Sequence, residues 1–413
     1  MNKESTNTWL CHQLGSREHY SIPRALHRQG CLGLLQTDAW LPPQAARWLP
    51  GMGPLKSLAG RYHAELTNAN VGSFTPGRLK FDTLSRLRKE PPWQAIIRRN
   101  EWFQAKCLPG LRRTLLKLDR HDDPQATVFS YSYTARELFR EAKRHGARCV
   151  LGQIDPGPEE IRWVADKCGE LQPNDAPPAS YWDAWREEVA LADTIITNSE
   201  WSRQLLIQGG VPQEKLQIIP LAYQRPHSAL AAPTRCYPDA FTSSRKIKVL
   251  FLGQIIPRKG LRACFDALPA LAGAPVEFHF AGPVGMPIPA AVKAHPDVHF
   301  HGPVPQTRAR ELYRDSDIFV LPTHSDGFAI TQLEAAAHHL PIIASKNCAA
   351  VVVHDKNGLL LDEITPAAIA QAIRTCLDAP ASLARWAEYD LDWSEYSLET
   401  LAKRLLALGK LKS

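Results

Sequence analysis

Two loops in the second half of the chain carry residues whose types and spacing suit chemistry on an anionic ligand. The first is Gly253-Gln-Ile-Ile-Pro-Arg258-Lys259-Gly260, directly after the apolar run Lys248–Leu252. Gly253 lets the backbone turn closely at a strand end, and Gly260 lies near the next helix start, where free N–H groups and the helix dipole favour an anion. With two adjacent cations in the turn, a diphosphate fits; a solvated Arg-Lys pair reads equally well. The second loop runs Leu321-Pro-Thr-His-Ser-Asp326-Gly327-Phe328-Ala329-Ile330 and opens a helix holding Glu334. Seven residues separate the two carboxylates, so both can border one ligand. One would reach sugar hydroxyls and the other ribose hydroxyls, while the N–H groups of Phe328, Ala329 and Ile330 face phosphate oxygens. Taken singly, Asp326 reads as a helix cap and Glu334 as a solvent-facing residue.

Both loops need elements to hold them. Six short apolar runs, Lys248–Leu252, Val276–Ala281, Val298–Phe300, Ile318–Leu321, Pro341–Ala344 and Gly358–Leu361, alternate with helical stretches. The first half shows the same grammar at Trp9–Leu14, Leu32–Leu35, Thr127–Tyr133, Arg148–Ile154, Thr194–Thr197 and Leu216–Ile219. Strands alternating with helices predict parallel sheets, and two such series predict an α/β protein of two doubly wound, Rossmann-like domains. Residues 224–245, with three prolines, have the composition of a linker, and residues 41–120 read as a basic, partly helical insertion. Ligands sit at the carboxyl ends of strands in such sheets, so a cleft between the two domains is the expected site.

With 413 residues, 44% apolar and 22% charged, the chain is long enough for two sizeable cores, and disordered and fibrous classes are excluded. The formal charge of +7 is too small to imply a nucleic-acid partner. Its distribution is uneven: residues 78–120 hold twelve Lys or Arg and four acids. Nine scattered cysteines without a C-x-x-C pair suggest neither a disulfide framework nor a zinc site. No run approaches the roughly eighteen apolar residues of a membrane span, and the first residues lack a signal-peptide pattern. The expectation is a cytoplasmic protein, at most peripheral to a membrane.

The second half, from about Lys246 to Ala407, resembles the donor domain of retaining GT-B glycosyltransferases of glycosyltransferase family 4 (glycosyl transferases group 1). The resemblance rests on the strand followed by G-x-x-x-x-[RK]-K-G, on Phe300-His-Gly302-Pro-Val304, on the Asp-Ile-Phe-Val-Leu-Pro strand, and on the acidic-x7-Glu helix. In the first half it is carried by Asn198-Ser-Glu-Trp-Ser202, Gly210-Val-Pro and Ile218-Ile-Pro220. It implies domains at 1–223 (acceptor side) and 246–393 (donor side), with 394–413 a helix crossing back. It implies that Lys259 binds the donor diphosphate, Glu334 the donor ribose, and that Asp326 faces the transferred sugar. Gln254, Asp326 and Ala329 depart from the family's Arg, Glu and Gly, and Arg258 is a candidate to supply the missing charge. The activity implied is retaining, metal-independent transfer of a sugar from a nucleotide diphosphate sugar to a hydroxyl, with no cofactor. Asp315-Ser-Asp317 has the letters of a metal-binding D-x-D but directly precedes a strand and reads as a surface turn.

On the acceptor side the resemblance singles out the loop Gly15-Ser-Arg17-Glu18-His19-Tyr20 after the first strand, and Asp155 after Leu151-Gly-Gln-Ile. The His that commonly precedes that Asp in the family is missing; His12 and His19 remain candidates by position. A saccharide or a lipid-linked molecule is the expected acceptor. For the latter, residues 78–120 with Trp93, Trp102 and Phe103 would touch anionic headgroups; a solvated helical insertion fits the same residues. Two further readings stand beside transfer. A sugar-nucleotide-binding protein without activity is motivated by the departures, and a nicotinamide-dependent dehydrogenase is disfavoured because no G-x-G-x-x-G follows any predicted strand.

Overall fold

The computed structural model describes residues 7–42, 58, 60–119, 126–169, 176–226 and 235–410. Seven parallel strands form the first sheet: β1 (Thr8–Gln13), β2 (Leu32–Thr37), β3 (Val71–Ser73), β4 (Ala126–Tyr131), β5 (Arg148–Gly152), β6 (Thr194–Thr197) and β7 (Leu216–Ile218), in the order 3-2-1-4-5-6-7. Six more form the second: β8 (Ile247–Leu252), β9 (Val276–Ala281), β10 (Val298–Gly302), β11 (Ile318–Leu321), β12 (Ile342–Ser345) and β13 (Gly358–Leu361), in the order 10-9-8-11-12-13. Helices cover both faces of each sheet, so central strands are apolar throughout; all six residues of β4 are buried. This is the α/β GT-B architecture of two Rossmann-like sheets.

The stretch expected as an insertion is part of the first sheet's own layering. Val71–Ser73 pairs with β2, and the Pro92–Leu118 helix seats Phe103, Cys107, Leu111 and Leu115 in the core beside Leu138 and Phe139. Phe103 therefore has no surface to offer a membrane, and Trp102 packs on Phe74 and Phe81. Residues 43–57 of that stretch lie outside the described residues. The linker divides similarly. Residues 235–245 pack on the second half, where Phe241 is buried and Arg245 pairs with Asp317 at 2.6 Å; 227–234 lie outside the described residues.

The last helix, Leu398–Lys410, lies against the first half. Leu398, Leu401, Leu405 and Leu408 are buried with Trp9, Ile22 and Leu26, and Arg28 pairs with Glu399 at 2.8 Å. Four buried leucines contribute about 1.5–3 kcal/mol each, enough to hold the helix to a surface remote in sequence. The expected helix from residue 394 begins instead at Leu398, because residues Trp393–Tyr396 form a separate 3₁₀ turn and Ser397 interrupts with extended backbone.

Candidate active site

In each sheet the strand order reverses at one point, between β1 and β4 in the first and between β8 and β11 in the second. The loop leaving β1 faces those leaving β8 and β11, near the switch points where such sheets bind ligands. With residues that follow β5, β6 and β7 they enclose a cleft of about 470 Å³ lined by Ser16–His19, Ile154, Asn198 and Leu221 from the first half and by Gly253, Arg258, Lys259, Asp326–Ile330 and Glu334 from the second. Every donor-side residue expected from the sequence thus borders a single cavity, as do Arg17 and His19.

The two donor loops are bonded to each other. The carbonyl of Arg258 accepts from the His324 N–H at 2.8 Å and from the Thr323 hydroxyl at 3.2 Å. Gly260 makes this approach possible. It has φ +71°, and a Cβ there would stand 1.8 Å from the Pro322 carbonyl oxygen. Across this junction Lys259 forms an ion pair with Asp326. Burial pushes the Asp326 carboxyl up, but the charges of Lys259 and Arg258 outweigh it and hold the group below its ordinary range. Glu334 lies three residues into the Thr331–Ala337 helix, accepts the Tyr313 hydroxyl at 2.9 Å, and is pushed above the usual carboxylate range by burial.

Three expectations change in detail. The N–H groups of Phe328 and Ala329 do not stand free for phosphate: both are donated to Asp326 Oδ1, at 3.4 and 3.1 Å. Asp326 is therefore both the cap of this turn and the partner of Lys259. Arg258 turns toward the Ser325 carbonyl at 2.7 Å and Glu160 at 3.4 Å rather than simply replacing a charge at Gln254. Asp317 is no surface turn, since it is 4% exposed and accepts from Arg245 and from the Lys248 N–H.

Ala329 has φ +64°, in the left-handed region. That conformation costs a residue with a Cβ about 1–2 kcal/mol. Ala329→Gly should therefore stabilise the protein by about 0.5–1 kcal/mol net, after the larger unfolded-chain entropy of glycine. The urea midpoint should rise, and an unchanged or lower midpoint would show that the strain is not there.

On the first half, Glu18, His19 and Tyr20 follow one another at φ +53°, +50° and +60°. Three successive left-handed residues are costly and persist only where surroundings hold them. Glu18 is the anchor: it accepts from the Ser21 hydroxyl at 2.8 Å and the Tyr131 hydroxyl at 3.1 Å. Burial raises its pKa. His19 stands exposed at the cleft, whereas His12 is buried in β1 and its imidazole pKa is lowered to about 3 by burial, so it meets no ligand. Asp155 is corrected too. It does not line the cleft but accepts the Tyr133 hydroxyl at 2.6 Å and the Gly157 N–H at 2.9 Å, fixing the turn after β5.

Glu160, which the sequence did not signal, does not line the cleft but holds two residues of the donor loops, Ser325 and Arg258. Sitting in the first turn of the Pro158–Cys168 helix, it looks like an ordinary dipole-compensating acid. It is buried, accepts the Ser325 hydroxyl at 2.6 Å, and has its pKa raised by burial. Other contacts tie the same stretch of loop to the first half: Trp163 Nε1 donates to the His324 carbonyl at 2.9 Å, Trp201 Nε1 to Ser325 Oγ at 2.9 Å, and Ser202 Oγ to the Gly327 carbonyl at 3.3 Å.

Comparisons agree with this architecture. Residues 246–379 match the family described as Glycosyl transferases group 1. A D-inositol 3-phosphate glycosyltransferase of Acidothermus cellulolyticus is 28% identical over 217 residues, 46% of this chain and 47% of that protein. A probable sucrose-phosphate synthase 2 of Oryza sativa is 35% identical over 124 residues, 28% of this chain and 13% of that protein. The chain thus matches about half or less of the length of these relatives. Among solved structures, Anabaena Alr3699/HepE in complex with UDP superposes with a TM-score of 0.60 at 16% identity, covering 98% of this chain and 100% of that one. Sucrose-phosphate synthase of Thermosynechococcus elongatus gives 0.60 at 14% identity over 97% and 98%. These likenesses show the fold, and residues 246–379, which carry Lys259, Asp326 and Glu334, form a glycosyl transferases group 1 domain.

Proposed function

We propose that the protein is a glycosyltransferase that moves a sugar from a nucleotide diphosphate sugar to a hydroxyl of a saccharide or lipid-linked acceptor, with retention of configuration and without a metal. The observation that carries the reading is the single cleft in which Arg258 and Lys259 stand beside the carboxylates Asp326 and Glu334. As the glycosidic bond breaks, negative charge grows on the leaving diphosphate, and fixed cations stabilise that charge more in the transition state than in the ground state. Glu334 would accept from the ribose hydroxyls, and Asp326, released from Lys259, would face the sugar. Support for a metal-free route is that Asp317 of the D-x-D sequence is already engaged by Arg245.

UDP-sugars are the first donors to test, because a structure of this fold, Anabaena Alr3699/HepE, is described in complex with UDP-glucose (TM-score 0.54, 16% identity, 97% of this chain and 96% of that one). A cytoplasmic location with peripheral membrane contact through 78–120 belongs to the same proposal. It is supported by Leu87, 74% exposed beside Arg86, Arg88 and Lys89. No helix of the described residues is long and apolar enough to cross a membrane. The test is incubation with UDP-, GDP- and ADP-sugars, with and without EDTA, following nucleotide release and anomeric signals by NMR. Transfer with retention, unaffected by EDTA, is expected. Tight nucleotide binding without hydrolysis or transfer to any acceptor would leave a sugar-nucleotide-binding protein instead.

A further inference from the structure

Beside the donor cleft lies a second cavity, of about 190 Å³, whose lining includes four arginines, Arg17, Arg61, Arg78 and Arg99. Arg17 and Ile154 border both cavities, so the two are neighbours across one side chain. Tyr133 and Tyr181, stacked at 4.6 Å between ring centroids, add an aromatic wall. Arg61, Arg78 and Arg99 come from the basic stretch and its approach, whose charge is thus partly turned inward.

The four guanidiniums are unevenly partnered. Arg61 and Arg78 share one buried acid, Asp38, at 3.1 and 2.8 Å, and Arg78 also takes Asp82 at 2.8 Å. Arg99 forms no ion pair or hydrogen bond among the described residues, and its Nε is buried without a partner. Burial and the nearby Arg78 charge both act to lower its pKa, so the cluster pays for like-charge proximity. Arg17 rests over the Tyr131 ring at 5.4 Å. Two further acids, Glu18 and Asp155, accept the hydroxyls already described and both feel the Arg17 charge. Arg17, Arg61 and Arg78 thus each have an acid close by, and Arg99 is the guanidinium of this cavity left without an ion pair or hydrogen bond among the described residues.

Gly15 joins this cavity to the loop of the cleft. It has φ +90°, donates its N–H to Asp38 at 2.8 Å, and a Cβ there would stand 2.8 Å from Arg61 Nη1. The same turn thus sets Arg61 in one cavity and Arg17 between the two.

We propose that this arginine-lined cavity binds the phosphate group of a phosphorylated acceptor, so that the acceptor's hydroxyl is presented across Arg17 to the donor sugar. A phosphate supplies the partner that Arg99 lacks, and planar guanidiniums bind its oxygens through paired N–H groups. The proposal rests on the transferase reading for the term acceptor, but the anion site itself does not.

The experiment titrates the full chain with inorganic phosphate and with glucose 6-phosphate against glucose, by calorimetry, in the presence of saturating UDP to occupy the donor side. In a parallel arm, sedimentation with vesicles containing phosphatidic acid is compared with neutral vesicles. Both are repeated on Arg99→Gln, with UDP affinity and circular dichroism as checks of folding. Phosphate and the sugar phosphate should bind where glucose does not, and Arg99→Gln should weaken them at least tenfold while UDP affinity stays unchanged. Phosphatidic acid binding that also depends on Arg99 assigns the phosphate to a lipid headgroup; Arg99-dependent binding of the soluble compounds alone assigns it to a free sugar phosphate. Absence of both, or binding indifferent to Arg99, overturns the proposal. Failure of UDP to bind would count against the donor reading and leave the anion result to stand separately.

Discussion

Replacing Lys259 by alanine should lower kcat for transfer by about 10²- to 10³-fold, the usual cost of removing one fixed group that stabilises developing negative charge. Two effects combine. The leaving diphosphate loses a fixed cation, and Asp326, half-buried and paired with Lys259, is left without its partner. The second effect predicts a shift that the first does not. Without the Lys259 charge, burial dominates, and the Asp326 carboxyl rises from below its ordinary range. The loss of stability in the variant should therefore be largest at neutral pH, where the unpaired carboxylate is charged, and should shrink on acidification as it takes a proton. Comparing urea midpoints of both proteins from pH 7 to pH 5 checks this. Near-normal turnover in the variant would remove Lys259 from the mechanism.

Glu334→Gln should weaken donor binding by about 10- to 100-fold, since hydrogen bonds to a charged acceptor contribute roughly 1.5–3 kcal/mol. Burial raises the Glu334 pKa, so its native carboxyl takes up a proton at a higher pH than an exposed glutamate would. Wild-type donor affinity should accordingly fall as the pH is lowered through that raised value, and the variant should lack this dependence. Stability runs the other way. Between the ordinary glutamate value and the raised one, the folded protein binds more protons than the unfolded chain, so the Glu334 contribution becomes more unfavourable as pH rises. The free variant should thus be at least as stable as the wild type at pH 7. Binding titrations and thermal melts, each against pH, separate the two trends; unchanged donor affinity in the variant would exclude Glu334 from the ribose contact.

The strands were legible because parallel strands covered on both faces read as short continuous apolar runs, as at Ile318–Leu321. Val71–Ser73 escaped for the same reason in reverse: three residues with one large apolar side chain, at a sheet edge, carry no pattern. The donor residues could be found because they lie on two contiguous loops, where order and spacing survive in the sequence. Their hydrogen bonds could not. That Asp326 uses the Phe328 and Ala329 N–H groups itself depends on a backbone turn, with Ala329 at positive φ, that alanine does not announce. Glu160 and Asp38 were hidden by distance, since each meets its partners across tens of residues or more. The basic stretch misled by composition. A count of charges does not say which arginines face inward, and Arg78 and Arg99 do.

The loop that carries Asp326 is also the loop most firmly attached to the other half of the molecule, through Trp163, Trp201, Ser202 and Glu160. A rigid swing that widened the cleft would have to break those contacts together. At about 0.5–1.5 kcal/mol each, they set against opening a cost on the order of a few kcal/mol, which keeps a widened state well under one part in ten. Under the proposed function, peeling the Asp326 loop from these neighbours is the step that would widen the cleft for nucleotide release. Residence time and transfer would then depend on the same contacts, and Trp201→Phe, which removes the bond to Ser325 without touching the cations, is the handle on that dependence.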